Sequence, residues 1–260
     1  MTALGGNGKP LEGVRVLALE QMQSLPYATQ LLARLPTPVR LSLVQNASAL
    51  ASTGFITVLP DLLGFGDSDE IFHPYYVEDP TATAVTDLLR AAATLADEKE
   101  VEFNQRLFLA GYSQGGYATL ATHKALEADP LEDFDLIASF PGSGGYDIQS
   151  LQEYFFSLNT YNDPYYLAYV GLAYQSYYGE ANLIDEFFNE PYASRIPGLF
   201  DGVNAAGDIN AQLTEEIPAL VQTEALTGAV LEQRLLEVAD CPADIPIYVA
   251  EHVLGLPRSY

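Results

Sequence analysis

Short apolar runs recur along the first half of the chain, and each is followed by a longer stretch at helical spacing. Val14 to Leu19 reads as extended and Tyr27 to Leu35 as helical. The run from Thr57 reads as a buried strand that enters a glycine-rich loop ending at Ser68. Ala82 to Leu95 carries an apolar face that predicts a helix, with Asp79 or Thr81 as its cap. Leu107 to Ala110 predicts a buried strand and Ala118 to Leu126 a helix, and Asp135 to Phe140 predicts the next strand. Alternation of strands with helices of this length argues for a parallel sheet covered on both faces. Such sheets bind ligands at the carboxyl ends of their strands.

The strand pattern stops between Asp147 and about Val238. Nine of the 17 tyrosines fall between Tyr146 and Tyr178, among them Tyr154, Tyr161, Tyr165, Tyr166, Tyr169 and Tyr174. Their spacing predicts short helices laid over the sheet edge. Aromatic residues at that spacing serve as core, or some line an apolar pocket. Pro197 to Gly202 predicts a turn, and Ala243 to Ala250 a late core strand.

Composition narrows the partners. The 260 residues include 35 acidic and 11 basic ones, a net charge of −24, with only Lys9, Lys99 and Lys124 as lysines. That surface repels nucleic acid and anionic membrane, and it suits a protein working in high salt. Hydrophobic content of 48% fits a folded core. Cys241 is the single cysteine, so neither an intramolecular disulfide nor a cysteine metal site is expected, and no cofactor is implied. The first residues lack an export pattern, and no apolar run is long enough to span a membrane; the sequence reads as soluble and unexported.

Chemistry concentrates at Gly111-Tyr-Ser-Gln-Gly115, set between a strand and a helix. A Gly-x-Ser-x-Gly turn in that setting lifts the serine hydroxyl off the sheet edge, and the flanking glycines leave room for strand and helix to pass. Ser113 is the candidate nucleophile. The amide of Gln114, at the positive end of the following helix, is a candidate oxyanion donor. The plainer reading of the same five residues is a corner in the chain.

Residues 50–250 resemble the bacterial α/β-hydrolases of the secretory lipase group, on Leu59-Pro-Asp-Leu-Leu-Gly-Phe-Gly-Asp-Ser68, His73-Pro-Tyr75, Gly111 to Gly116, the tyrosine-rich segment, and Ile196 to Gly202. The resemblance implies an α/β-hydrolase-like fold: a mostly parallel sheet, helices on both faces and an inserted helical cap. It also implies a lipase or esterase acting on a small apolar ester or acyl substrate through an acyl-enzyme on Ser113. The chain then divides into an atypical N-terminal βα segment joined to the sheet at 1–48, a hydrolase core with its nucleophile elbow at 49–146, a cap at 147–238, and a late strand with a truncated terminus at 239–260. Residues 10–35 resemble the opening of the family III CoA-transferases until Pro36-Thr-Pro38 breaks the match, which marks them as a transplanted first βα unit.

Two parts of the hydrolase pattern are not found: an upstream His-Gly-type loop, and the downstream Gly-x-x-Asp and histidine. The histidines present are His73, His123 and His252. His123 lies about 15 Å along the nucleophile helix by helical rise. His73 belongs to a loop where packing or hydrogen bonding occupies it. His252 follows the late strand on the correct side of the sheet and is the candidate base, with Glu251 as candidate acid. Neighbours on a strand point oppositely, so the two pair poorly with each other. Weak turnover is expected, because a serine without an aligned base is a poor nucleophile. The alternatives are a non-catalytic module that binds apolar ligands and, more remotely, a CoA-binding protein.

Overall fold

The computed structural model describes residues 16–20 as backbone, residue 51, and residues 54–222. Its sheet comprises β1 (Val16–Glu20), β2 (Thr57–Val58), β3 (Arg106–Tyr112) and β4 (Asp135–Gly142), in the order β2-β1-β3-β4. Every pairing is parallel. Strand β1 lies in the segment read as an atypical first βα unit and is an inner strand of this sheet, between β2 and β3, with Leu17 opposite Leu109 and Glu20 opposite Tyr112. The expected strand from Thr57 is only two residues long. Pro60 lacks an amide hydrogen, so it cannot continue the ladder.

Two helices frame the turn at Ser113. Helix α1 (Glu78–Glu98) buries Ala82, Val85, Leu89 and Ala93, one face at three- and four-residue spacing. Neither Asp79 nor Thr81 caps it. The N-cap is Val77, and Thr81 Oγ1 instead donates to the Val77 carbonyl at 2.6 Å. Asp79 and Glu78 sit in the first turn, where the helix dipole favours them. Helix α2 (Gln114–Ala128) is buried almost throughout its first ten residues, because it packs on β3, β4 and α1 at once. Val85, Leu89, Leu107, Leu109, Ala118 and Leu126 form the main sheet core. Lys124 and Glu78 pair at 3.1 Å between the helices.

From residue 147 onward the described chain is helical: α3 (Ile148–Ser157), α4 (Tyr165–Tyr178), α5 (Leu183–Phe187), α6 (Tyr192–Leu199), α7 (Ala206–Asn210) and α8 (Ile217–Leu220). Asp147 caps α3, accepting from the Ser150 amide at 2.8 Å and the Ser150 hydroxyl at 2.6 Å. Gly179 ends α4 with a left-handed φ of 71°. Pro197 was expected in a turn but lies inside α6, whose Ala193, Ile196 and Leu199 are buried. This layer has its own core, in which Tyr165, Ala168, Tyr169, Leu172 and Ala173 of α4 meet Ile184, Phe188, Ile196, Ile209 and Leu220. Among the described residues no helix is long and apolar enough to cross a membrane. The sequence-predicted helix at 27–35, Cys241, the strand at 243–250, Glu251 and His252 lie outside the described residues.

Candidate active site

Ser113 joins β3 to α2 with φ 57° and ψ −120°, a backbone conformation that L residues adopt only when their surroundings enforce it. Its amide donates to the Gly142 carbonyl at the end of β4, at 2.8 Å, which ties the turn to the neighbouring strand. The close approach there involves Gly116, just outside the five-residue motif. A Cβ on Gly116 would stand 2.5 Å from the Gly142 oxygen and 3.0 Å from the Tyr146 hydroxyl. The serine is 5% exposed, and its side chain faces a cavity of about 230 Å³. The Gln114 amide begins α2, where the first amides have no intrahelical acceptor.

The cavity lies between the sheet edge and the helical layer. Tyr76, Ile148, Leu151, Phe155, Tyr161, Tyr166, Leu167, Val170, Tyr174 and Phe187 supply most of its wall, and among the described residues that wall carries no charged side chain. Helix α4 presents two apolar faces. Tyr165, Ala168, Tyr169 and Leu172 enter the core of the layer, while Tyr166, Leu167, Val170 and Tyr174, one or two positions along, line the cavity. Both sets keep helical spacing, so periodicity alone cannot separate them. Tyr154 belongs to neither set and is 38% exposed. Burial pushes the phenols upward: Tyr166 to about 12, with Tyr75 and Tyr161 also raised. They remain neutral hydrogen-bonding groups.

The two described histidines are both engaged elsewhere. His123 is fully buried, with Nδ1 2.8 Å from Ser139 Oγ and Nε2 3.2 Å from Glu127 Oε1, so it pins α2 to β4. His73 Nδ1 is 2.6 Å from the Leu63 carbonyl, and its Nε2 bonds the Gln114 side-chain amide. That link was not read from the sequence, although the His73-Pro-Tyr75 motif flagged the segment. Burial lowers the His73 pKa to about 4. Among the described residues no cluster of three or more His, Cys, Asp or Glu is placed to hold a metal ion.

The parallel sheet, the strand–turn–helix at Ser113 and the helical layer above it define an α/β-hydrolase fold. The sequence matches the prolyl oligopeptidase family over residues 41–129, a span that includes Ser113. Among solved structures the chain is similar to a candidate hydrolase of Legionella pneumophila, with 27% identity and a TM-score of 0.71, covering 87% of this chain and 60% of that one. It is also similar to a mutant of the rice cell wall degrading esterase LipA of Xanthomonas oryzae, at 24% identity and TM-score 0.72, covering 93% and 67% of the two chains. Candida antarctica lipase A in its closed state shares 16% identity at TM-score 0.62, over 91% of this chain and 57% of that one. The chain thus spans roughly 57 to 67% of the length of these structures. No curated protein matches it.

Proposed function

We propose that the protein is a serine hydrolase that cleaves carboxylic esters of the lipase or esterase kind, with Ser113 as nucleophile on an elbow and the helical layer as a cap. The observation that carries this reading is the enforced backbone of Ser113 at the floor of an uncharged, aromatic-walled cavity. In the reaction Ser113 Oγ bonds to the ester carbonyl carbon while its proton passes to a histidine. The tetrahedral oxyanion accepts a hydrogen bond from the Gln114 amide, and the alcohol departs with the proton. Water then attacks the acyl-serine and releases the acid. The apolar wall receives the acyl chain. His252 is the proposed base and Glu251 the candidate acid, although as chain neighbours they orient each other poorly, which is why slow turnover is expected. His73 and His123 are excluded from that role by their bonds to Leu63, Gln114 and Ser139.

The test is labelling by a fluorophosphonate together with hydrolysis of p-nitrophenyl esters, with Ser113→Ala as the control. Labelling confined to position 113 and lost in the variant supports the reading; a folded sample that is never labelled ends it. The engaged histidines favour a second reading, a hydrolase-like module that binds apolar ligands without turnover. In that case fatty acids raise the melting temperature equally in wild type and Ser113→Ala, and ester cleavage is nil. The prolyl oligopeptidase match makes a peptide amide the competing leaving group, and p-nitroanilide substrates distinguish it. CoA binding is the remote alternative; the surface charge opposes so anionic a ligand.

A further inference from the structure

His73 stands out because it is a buried polar residue that the proposed reaction does not use, yet it touches the residue next to the nucleophile. It lies 41 positions before Gln114 in sequence, at the end of a loop that leaves β2. The loop holds its own shape: Ser68 Oγ donates to the Phe65 carbonyl at 2.8 Å and accepts from the Gly64 amide at 3.0 Å. A Cβ on Gly64 would stand 2.5 Å from the His73 backbone, so the two ends of the loop are in contact. Phe65 covers one side of the imidazole at 4.2 Å between ring centroids, and Tyr75 and Tyr169 approach at 6.1 and 6.0 Å. The ring therefore has one orientation. In it, Nδ1–H donates to the Leu63 carbonyl and the lone pair of Nε2 is left to accept from the Gln114 amide group.

Gln114 is 3% exposed, and its Oε1 has no hydrogen-bond partner among the described residues. His73 is thus the one described anchor of this side chain, and leaving the amide group unbonded as well would cost the full desolvation of a second buried polar atom. Because the side chain and the main-chain amide of Gln114 belong to the same first residue of α2, fixing one limits the rotation of the other.

We propose that His73 is a positioning residue: through the Gln114 side chain it holds the Gln114 amide in the direction needed to meet the oxyanion formed at Ser113. This rests on the reading of Ser113 as nucleophile. The effect belongs to the transition state, so it falls on kcat and on the fluorophosphonate labelling rate, leaving KM nearly alone.

The experiment compares wild type, His73→Gln, His73→Phe, Gln114→Ala and the His73→Phe/Gln114→Ala double variant, each checked for cooperative thermal unfolding. His73→Phe lowers labelling and kcat on the order of 10- to 100-fold, the scale of a misplacement of catalytic groups by up to about 1 Å. His73→Gln, which offers an amide oxygen where Nε2 was, restores a large part. The double variant is no slower than the slower single one, because both remove the same link. If His73→Phe does not fold, His73→Leu, which likewise removes the acceptor, supplies the same comparison. Wild-type rates in a folded His73→Phe or His73→Leu variant, or effects that multiply in the double variant, overturn the proposal. An unlabelled wild type instead overturns the Ser113 reading on which it rests, so the two failures are distinguishable.

Discussion

The sheet layer and the helical layer solve the packing problem with different side chains. Under β3 and α2 the core is largely aliphatic, with Leu107 and Leu109 almost wholly buried against Val85, Leu89 and Ala118. In the helical layer it is largely aromatic: Tyr75 stacks on Tyr169 at 4.7 Å, and Tyr165 on Phe200 at 5.3 Å. Branched aliphatic chains interlock around the strand and helix that carry the strained serine turn. Flat rings pack on one face and leave space on the other, and the cavity above Ser113 is that space. One layer fixes Ser113; the other walls the cavity above it.

The largest expected effect tests that division. Leu109→Ala removes a fully buried side chain four residues before Ser113, for a loss of about 3–5 kcal/mol by chemical denaturation, and fluorophosphonate labelling falls with it. Leu220→Ala, equally buried in the helical layer, costs stability too but leaves labelling near the wild-type rate. Equal loss of labelling in both would erase the distinction.

Next in size is the pH response of His73, whose imidazole bridges the layers. The groups facing it are the Leu63 carbonyl, the Gln114 amide, Phe65, and the neutral phenols of Tyr75 and Tyr169, with Asp69, Glu70 and Asp201 around the adjoining cavity. Burial lowers its folded pKa to about 4, against about 6.5 when unfolded. The unfolded chain therefore binds the extra proton first. The contribution is complete above about pH 6.5 and is lost as pH falls towards 4, up to about 3 kcal/mol. Stability of wild type minus His73→Gln, followed from pH 7 to 4.5, should shrink over that window; parallel curves would contradict it.

A smaller effect comes from Gly116→Ala. The new methyl meets the Gly142 carbonyl, which also accepts from the Ser113 amide, so about 1–3 kcal/mol is lost and labelling slows. In the helical layer the corresponding test has the opposite sign. Nothing lies within 4 Å of a Cβ on exposed Gly198 in α6, and Gly198→Ala should gain about 0.5–1 kcal/mol, read as a higher Tm.

Legibility differed between the layers for a physical reason. Leu107 to Ala110 and the Gly-x-Ser-x-Gly turn were readable because strand, turn and helix follow one another within a few residues, and local sterics decide them. The helices beyond Asp147 were readable as helices. Their division of labour was not, since Tyr165 and Tyr166 are adjacent in sequence and alike in chemistry, yet one enters a core and the other a cavity. The His73–Gln114 link was equally hidden, being a contact across 41 positions.

By itself, then, the sequence determined the order of elements, the apolar faces, the acidic surface and the position of Ser113, all properties carried by neighbouring residues. The tertiary structure alone decided which strands β1 sits between, that Gly116 is the point of closest approach, and that His73 reaches Gln114. These depend on which surfaces meet once the chain is folded, and side-chain spacing along a single element holds no record of its partner.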